Sequence, residues 1–420
     1  MDSILELCKR AKRSSLILKK QIAAKRTAVL FDLVDVLISD QELILNANEL
    51  DRKEATTLNI TEAMLERLTL TSERIAAMAQ GVRDVAALAD VVGEIFDSQV
   101  LPNGLRVHKQ RVPLGVLAVI YESRPNVTID VAALAIKSGN AVILRGGKET
   151  LRTNRVLVDC VHKALRKNDI PLESVQFVDD PERGLVLELL KMVDYVDMLI
   201  PRGGAALHRF CRENSLIPVI TGGIGICHLF VDESADLEKT IEVITNAKIQ
   251  RPTVCNALDT VLIHENIVAA FLPILLERMR RENVMVHLPW DSMEKYELEP
   301  DAMLVPIAAG DYDREWLSLN LGVQIVSGLD SAIDFISEHS TAHSDGILTE
   351  STENAGKFLN GVDSAVVYVN ASTRFTDGGE LGLGAEVAVS TQRLHARGPL
   401  ALQALTTYKW VVAGDYHTRG

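Results

Sequence analysis

The chain has 420 residues, 44 of them Lys or Arg and 57 Asp or Glu, so its formal charge is −13. A deficit of that size repels nucleic acid and anionic membrane surfaces, and an anionic ligand must therefore meet a local basic pocket. The length exceeds what one hydrophobic core supports, which predicts two domains, while a composition that is 47% hydrophobic and 24% charged excludes a disordered or fibrous chain.

At the N-terminus, MDSILELCKR lacks the pattern of a secretory signal, and no apolar run is long enough to span a bilayer, so the expected location is cytoplasmic. Ile4, Leu5, Leu7, Cys8 and Ala11 recur at helical spacing, as do Val29, Leu30, Leu33, Val34 and Leu37, and the first hundred residues read as helices. The basic cluster Lys9, Arg10, Lys12 and Arg13 is interrupted by acids at Asp2 and Glu6 and reads as a surface helix. Cys8, Cys160, Cys211, Cys227 and Cys255 are odd in number and contain no CxxC pair, which suggests neither a disulfide framework nor a zinc site.

From residue 114 the pattern alternates between β-rich runs (LGVLAVIYE, AVILRGG, SVQFVD, VDMLIP) and helical segments, which predicts a parallel, doubly wound sheet. Such sheets bind ligands beyond the carboxyl ends of their strands. Two loops at those positions suit a phosphorylated nucleotide: Arg145, Gly146, Gly147 and Lys148 after one strand, and Arg202, Gly203 and Gly204 opening a helix after another. Neither matches GxxxxGK[ST] or GxGxxG. Two such loops on one sheet favour a dinucleotide.

A third segment begins PVITGG, with Gly222, Gly223 and Gly225, and ends at Cys255 after a helix carrying Lys248 and Arg251. Nearby cations raise a thiol's thiolate fraction, although free cysteine is also among the most buried residue types. His339 and His343 share one helical face at their spacing, but two histidines without a third ligand do not make a metal site, and no metal is expected.

From the diglycine through Cys255 the chain resembles the aldehyde dehydrogenase superfamily, in which a diglycine precedes the nucleophilic cysteine by about thirty residues. The runs YESRPNVTIDVAALAIKSGNAVILRGGKE, DMLIPRGGAALH, PVITGGIGICHLFVDESADL, EHSTAHSDGILT and YVNASTRFTDGGELGLGAEVAVSTQRLHARGP are similar to its glutamyl phosphate reductase branch. Where hydrolytic members carry a water-activating glutamate, this chain has Ile220. Without that base, a thioester persists until it is reduced or meets phosphate.

The resemblance implies NADPH-dependent reduction of L-glutamyl 5-phosphate to L-glutamate 5-semialdehyde through a Cys255 thioester, the second step of proline biosynthesis from glutamate. It implies Asn126 as an oxyanion donor and Glu315 as a holder of the nicotinamide ribose, with Arg145 and Lys148 facing the adenosine ribose. Arg124, Ser372, Thr373 and Arg374 are candidates for the substrate's carboxylate or phosphate. The implied fold is α/β and aldehyde dehydrogenase-like, with two doubly wound domains and a small β oligomerisation flap. The expected limits are 1–105 and 125–228 for the NADPH-binding domain, 229–365 for the catalytic domain, and 106–124 with 385–420 for the flap and C-terminal return. A homodimer or homotetramer is expected, with a glutamate 5-kinase as a further partner. Two rivals are a hydrolytic aldehyde dehydrogenase, which would need a glutamate at Ile220, and a non-catalytic scaffold, which would need neither dinucleotide binding nor a reactive thiol.

Overall fold

In the computed structural model, which describes residues 3–57, 62–222 and 224–419, the chain divides into two units. The first comprises Met1–Thr221, Gly382–Ala388 and Pro399–Gly420, and the second Gly222–Leu381 and Val389–Gly398.

The first unit opens with five helices, α1 (Ile4–Leu18), α2 (Ala23–Ser39), α3 (Gln41–Thr57), α4 (Glu62–Leu68) and α5 (Ser72–Ala87). Ser3 starts α1 by accepting the Glu6 N–H at 3.3 Å, satisfying one of the unpaired donors of the first turn. Ile4, Leu7, Cys8 and Ala11 then face inward, and Leu5, one position off that stripe, is left exposed. Val29, Leu30, Leu33, Val34 and Leu37 of α2 are all buried, against α5 and the later helix α7.

The strands β1 (Ile95–Val100) and β2 (Arg106–Pro113) pair antiparallel, and the C-terminal strand Thr406–Ala413 adds to the other edge of β2. Next come β3 (Val116–Tyr121), α6 (Asn126–Lys137), β4 (Ala141–Arg145), α7 (Leu151–Lys167), β5 (Val175–Phe177), α8 (Arg183–Leu189), β6 (Met198–Arg202) and α9 (Ala205–Asn214). They build a four-stranded parallel sheet in the order β5-β4-β3-β6. All six residues of β3 are buried, as a strand covered on both faces requires. One of its faces packs on Ile4 and Leu7 of α1 and on Val186 and Leu189 of α8.

The flap expected over 106–124 is therefore narrower at that end. Only β2 belongs to the antiparallel sheet, which also takes in β1, whereas β3 is a core strand. The apolar run VLAVIY has no polar alternation with which to face water on one side, and RVHKQRVP does.

The second unit contains β7 (Cys227–Val231), α10 (Leu237–Ile249), β8 (Leu258–His264), α11 (Val268–Arg281), β9 (Met285–Leu288), α12 (Trp290–Lys295), β10 (Leu304–Pro306), β11 (Asn320–Val326), α13 (Leu329–His339), β12 (Ser344–Leu348), α14 (Thr352–Gly361) and β13 (Val366–Val369). Seven parallel strands run in the order β10-β9-β11-β8-β7-β12-β13. Successive side chains of β7 and β8 go to opposite faces. Leu229, Val231, Val261 and Ile263 meet α10 and α11, while Phe230 and Leu262 join Ile336 of α13 and Phe358 of α14.

The division at 221/222 precedes the expected 228, and the second unit runs past 365 to Leu381 and takes back Val389–Gly398. Residues 224–226 are not spare linker, since Gly225 packs on the loop before β8.

Candidate active site

In the first unit the chain proceeds outward from β3 to β4 to β5, then returns to place β6 on the other side of β3. That reversal opens a crevice at the carboxyl ends of β3 and β6. A cleft of about 870 Å³ lies there, walled by Val186, Leu187, Leu207 and Phe210, with Arg145, Lys148 and Arg183 among its polar lining. Its size and its mix of apolar walls with a few cations suit a nucleotide. A smaller pocket of about 250 Å³ adjoins Lys148 and adds Arg152 and Arg155.

The first predicted loop lines this cleft through Arg145, Gly147 and Lys148, whereas the second lies outside the lining and only the helix it opens reaches the cleft, through Ala206, Leu207 and Phe210. Arg145 donates to the carbonyls of Gly146 and Pro181 at 3.0 Å each, and burial lowers its pKa against the opposing pull of Glu149. Lys148 is exposed at the start of the turn leading into α7. Arg202 ends β6, and Gly203 and Gly204 open α9. A Cβ at Gly203 would run into the Glu122 carboxylate and Leu207, whereas one at Gly204 meets only open space.

Three acidic or polar residues in this crevice were not singled out from sequence. The Glu122 carboxylate accepts the Gly204 N–H at 3.0 Å, so an internal anion occupies the N-terminus of α9. Ser123 adopts left-handed backbone geometry (φ 43°) and donates through both its N–H (2.8 Å) and its hydroxyl (2.7 Å) to one oxygen of Glu149. These residues lie where β3 and β4 end, and the carboxyl-end rule that selected the glycine loops also covers them. Arg183, at the start of α8 after β5, was findable by the same rule.

Asn126 is the first residue of α6, exposed at the surface of its unit, and its amide donates to Asp130 one turn later at 2.9 Å. Burial raises the Asp130 carboxyl to about 6, and the Asn126 bond opposes that rise. Arg124 is half-buried in the turn preceding α6. Ile220 is buried, with its N–H on the Leu199 carbonyl at 2.9 Å, and offers no base.

In the second unit Cys255 lies half-buried in the loop between α10 and β8, at the amino end of its strand. Its backbone is held from several directions. Gly225 approaches so closely that a Cβ there would overlap the Cys255 carbonyl. Buried Cys227 donates its thiol to that carbonyl at 3.3 Å, and burial pushes the Cys227 pKa well up, so this thiol stays protonated. One residue on, Asn256 donates to the Thr376 carbonyl at 2.9 Å and to the Arg374 carbonyl at 3.4 Å, while Thr373 Oγ1 donates to the Asn256 carbonyl at 2.7 Å. Glu315 accepts the Gly225 N–H at 3.2 Å, which ties this acid to the same loop. Gly222 bridges to Ser390, and Gly223 lies outside the described residues.

Of the candidates around residue 373, Ser372 caps its own turn by accepting the Arg374 N–H at 3.3 Å, and Thr373 holds Asn256. Their hydroxyls secure the loop, and Arg374 is the member of the group with donors to present. Burial lowers the Arg374 pKa, and Cys255 is the ionisable group that most strongly opposes this. Lys248, which the sequence places near the thiol, instead points its buried ammonium at the Leu258 carbonyl at 2.9 Å, and burial brings its pKa down to about 8. One cation acting on Cys255 thus comes from a loop more than a hundred residues away, whereas Arg251, also expected from sequence, lies beyond the end of α10. His339 ends α13 and pairs with Asp313 at 2.8 Å, while His343 is buried in the turn before β12, so the two do not share a helix.

The sequence matches the model of the aldehyde dehydrogenase family over residues 2–293. It is 54% identical to gamma-glutamyl phosphate reductase of Escherichia coli (strain SMS-3-5 / SECEC), covering 97% of this chain and 98% of that one. The same enzyme of Yersinia enterocolitica is also 54% identical, over 99% of both chains. The crystal structure of gamma-glutamyl phosphate reductase from Thermotoga maritima superposes with a TM-score of 0.96 at 43% identity, covering 100% of both chains. With parallel sheets, cleft and cysteine loop in place, the chain belongs to the aldehyde dehydrogenase family and, within it, to the gamma-glutamyl phosphate reductases.

Proposed function

We propose that this chain reduces L-glutamyl 5-phosphate to L-glutamate 5-semialdehyde and phosphate with NADPH, through a thioester on Cys255. The observation that carries this reading is a half-buried cysteine whose backbone is fixed by Gly225, Cys227 and Asn256, with Arg374 as its charged neighbour. Cations beside a thiol favour the thiolate, which is the attacking species.

The Cys255 sulfur attacks the acyl carbon, the bond from that carbon to the phosphate oxygen breaks, and phosphate departs with the electron pair. When bound, NADPH supplies a hydride to the thioester carbon. The Cys255 sulfur then leaves as thiolate when the tetrahedral oxyanion collapses to the aldehyde. Asn126 serves as a side-chain donor to that oxyanion, its amide nitrogen keeping a second hydrogen beyond the one given to Asp130. Arg145, Lys148, Arg202 and the glycines beside them hold the dinucleotide's anionic portion, the phosphate of NADPH meeting the cations around Lys148. Gly222 belongs to the same binding set, and Glu315 holds the nicotinamide ribose. Arg124 and Arg374 take the substrate's anionic groups.

The buried Ile220 side chain cannot activate water, so the thioester awaits reduction or phosphate. The semialdehyde cyclises to pyrroline-5-carboxylate, which places the chain in the second step of proline biosynthesis from glutamate, in the cytoplasm and as a homo-oligomer. The test is a burst experiment in the oxidative direction with semialdehyde and NADP. Without phosphate, one equivalent of NADPH per Cys255 should form and stop, leaving an acylated Cys255 identifiable by peptide mass, and added phosphate should restart turnover. Steady turnover without phosphate would contradict the reading.

A further inference from the structure

The phosphate that departs from the acyl carbon when Cys255 attacks is an anion, and the loop around the thiol holds a specific arrangement for one cation. Arg374 sits in the middle of a short turn, Thr373–Phe375, whose ends are fixed by Ser372 at the start and by the Asn256 bonds to the Arg374 and Thr376 carbonyls. Its backbone is therefore anchored to the residue next to Cys255. The side chain is anchored separately, because Nε donates to Oε1 of Gln250 at 2.7 Å. Gln250 caps the C-terminus of α10, five residues before Cys255, so both anchors of Arg374 belong to the segment that carries the nucleophile.

The chemistry of the second anchor is informative. A guanidinium has five N–H donors, and using one at Nε leaves the two terminal amino groups to form a two-pronged contact with an anion. A carboxylate at position 250 would hold the group equally well but would cancel its charge. The neutral amide orients the cation without adding a further negative charge to those of Cys255 and Asp377 that already act on it. Arg251 follows directly, and its positive charge acts on Arg374 in the same sense as burial, against the proton. Arg251 is exposed and Arg374 half-buried, and the mutual repulsion of their charges is relieved by a bound anion.

We propose that Gln250 is a positioning residue that aims the Arg374 guanidinium at the phosphoryl group of the acyl phosphate on its way to and from Cys255, with Arg251 as the second cation of that phosphate site. The inference rests on the reaction read above and adds which groups receive the phosphate and what holds them.

The test uses the full-length enzyme in the oxidative direction, with inorganic phosphate as the varied substrate, and compares wild type with Gln250→Glu and Gln250→Met. Glutamate keeps an acceptor for Arg374 Nε but neutralises its charge, whereas methionine keeps the length and removes the acceptor. Both should raise the KM for phosphate about tenfold to a hundredfold, the range of a charge-assisted hydrogen bond, with kcat at saturating phosphate and the KM for semialdehyde little changed. A second readout needs no cofactor. Phosphate should slow alkylation of Cys255 by iodoacetamide in wild type and lose that protection in both variants. Gln250 is exposed, so both variants should fold, which a thermal melt checks. A Gln250→Glu enzyme with wild-type phosphate KM and protection would overturn the proposal, since a purely structural anchor survives that change. A wild-type enzyme indifferent to phosphate would instead overturn the reaction assignment itself.

Discussion

Replacing Gly225 by alanine probes the cysteine loop without touching any reactive group. The added methyl would coincide with the Cys255 carbonyl, a backbone group that cannot rotate away as a side-chain tip would. Gly225 is not among the positive-φ glycines, so the backbone itself accepts alanine and the cost is steric. Restoring van der Waals distance requires the loop to retreat by roughly an ångström or more. Such overpacking typically costs about 1–3 kcal/mol, and the upper end is expected because the retreat also strains the Cys227 thiol bond and the Gly225 bond to Glu315. For the reaction, about 1 Å of misplacement corresponds to a loss on the order of 100-fold. Urea unfolding gives the first quantity, turnover the second, and the rate of Cys255 alkylation reports whether the thiol itself has moved. Gly204→Ala is the steric control, since a Cβ there meets nothing within 4 Å, and it should lose no more than about 1 kcal/mol, the cost of alanine at a helix N-cap. A Gly225→Ala protein with wild-type stability, alkylation rate and turnover would refute the close approach and the positioning drawn from it.

Asn126→Ala should lower kcat by about 10²–10³, the effect of removing one oxyanion donor, while leaving the dinucleotide Kd from fluorescence titration unchanged. Glu122→Gln removes the carboxylate from the start of α9 and should tighten NADPH binding several-fold, about 1 kcal/mol or less, in the same titration; weaker binding would mean that Glu122 contributes a contact to the cofactor. Lys248→Met tests the buried ammonium through pH. Lys248 loses its proton near 8 when folded but near 10.4 in an unfolded chain, so below 8 the fold bears the full cost of burying the charge. Between those values the unfolded state holds more protons, and wild-type stability relative to Lys248→Met should rise with pH by about 3 kcal/mol in all, read from urea midpoints at successive pH values. A flat difference would show that Lys248 titrates normally.

Much of the architecture was legible because periodicity is local. The buried stripe of α2 follows from residues three and four apart, and the parallel sheets follow from apolar runs alternating with helices. The flap was less legible because pairing partners lie far apart: β2 finds Thr406–Ala413 nearly three hundred residues later. The same limit explains the misplaced cation. Lys248 was chosen for its closeness in sequence, but it turns inward to Leu258, and Arg374 acts electrostatically on Cys255 from a loop that no spacing rule connects to it. The carboxyl-end rule located the cleft in the first unit, yet Cys255 sits before β8 and at the opposite end of its strand, where only the glycine-to-cysteine pattern pointed. Gly225 was visible as a glycine, but its reason, contact with the backbone of residue 255, exists only in three dimensions.

The central claim is a phosphate-linked thioester at Cys255. The most direct measurement is reduction of NADP by purified protein supplied with pyrroline-5-carboxylate, whose open form is glutamate semialdehyde, with and without inorganic phosphate, in wild type and Cys255→Ala. The account predicts sustained turnover only in wild type and only with phosphate. Equal turnover without phosphate, or turnover surviving in Cys255→Ala, would contradict it.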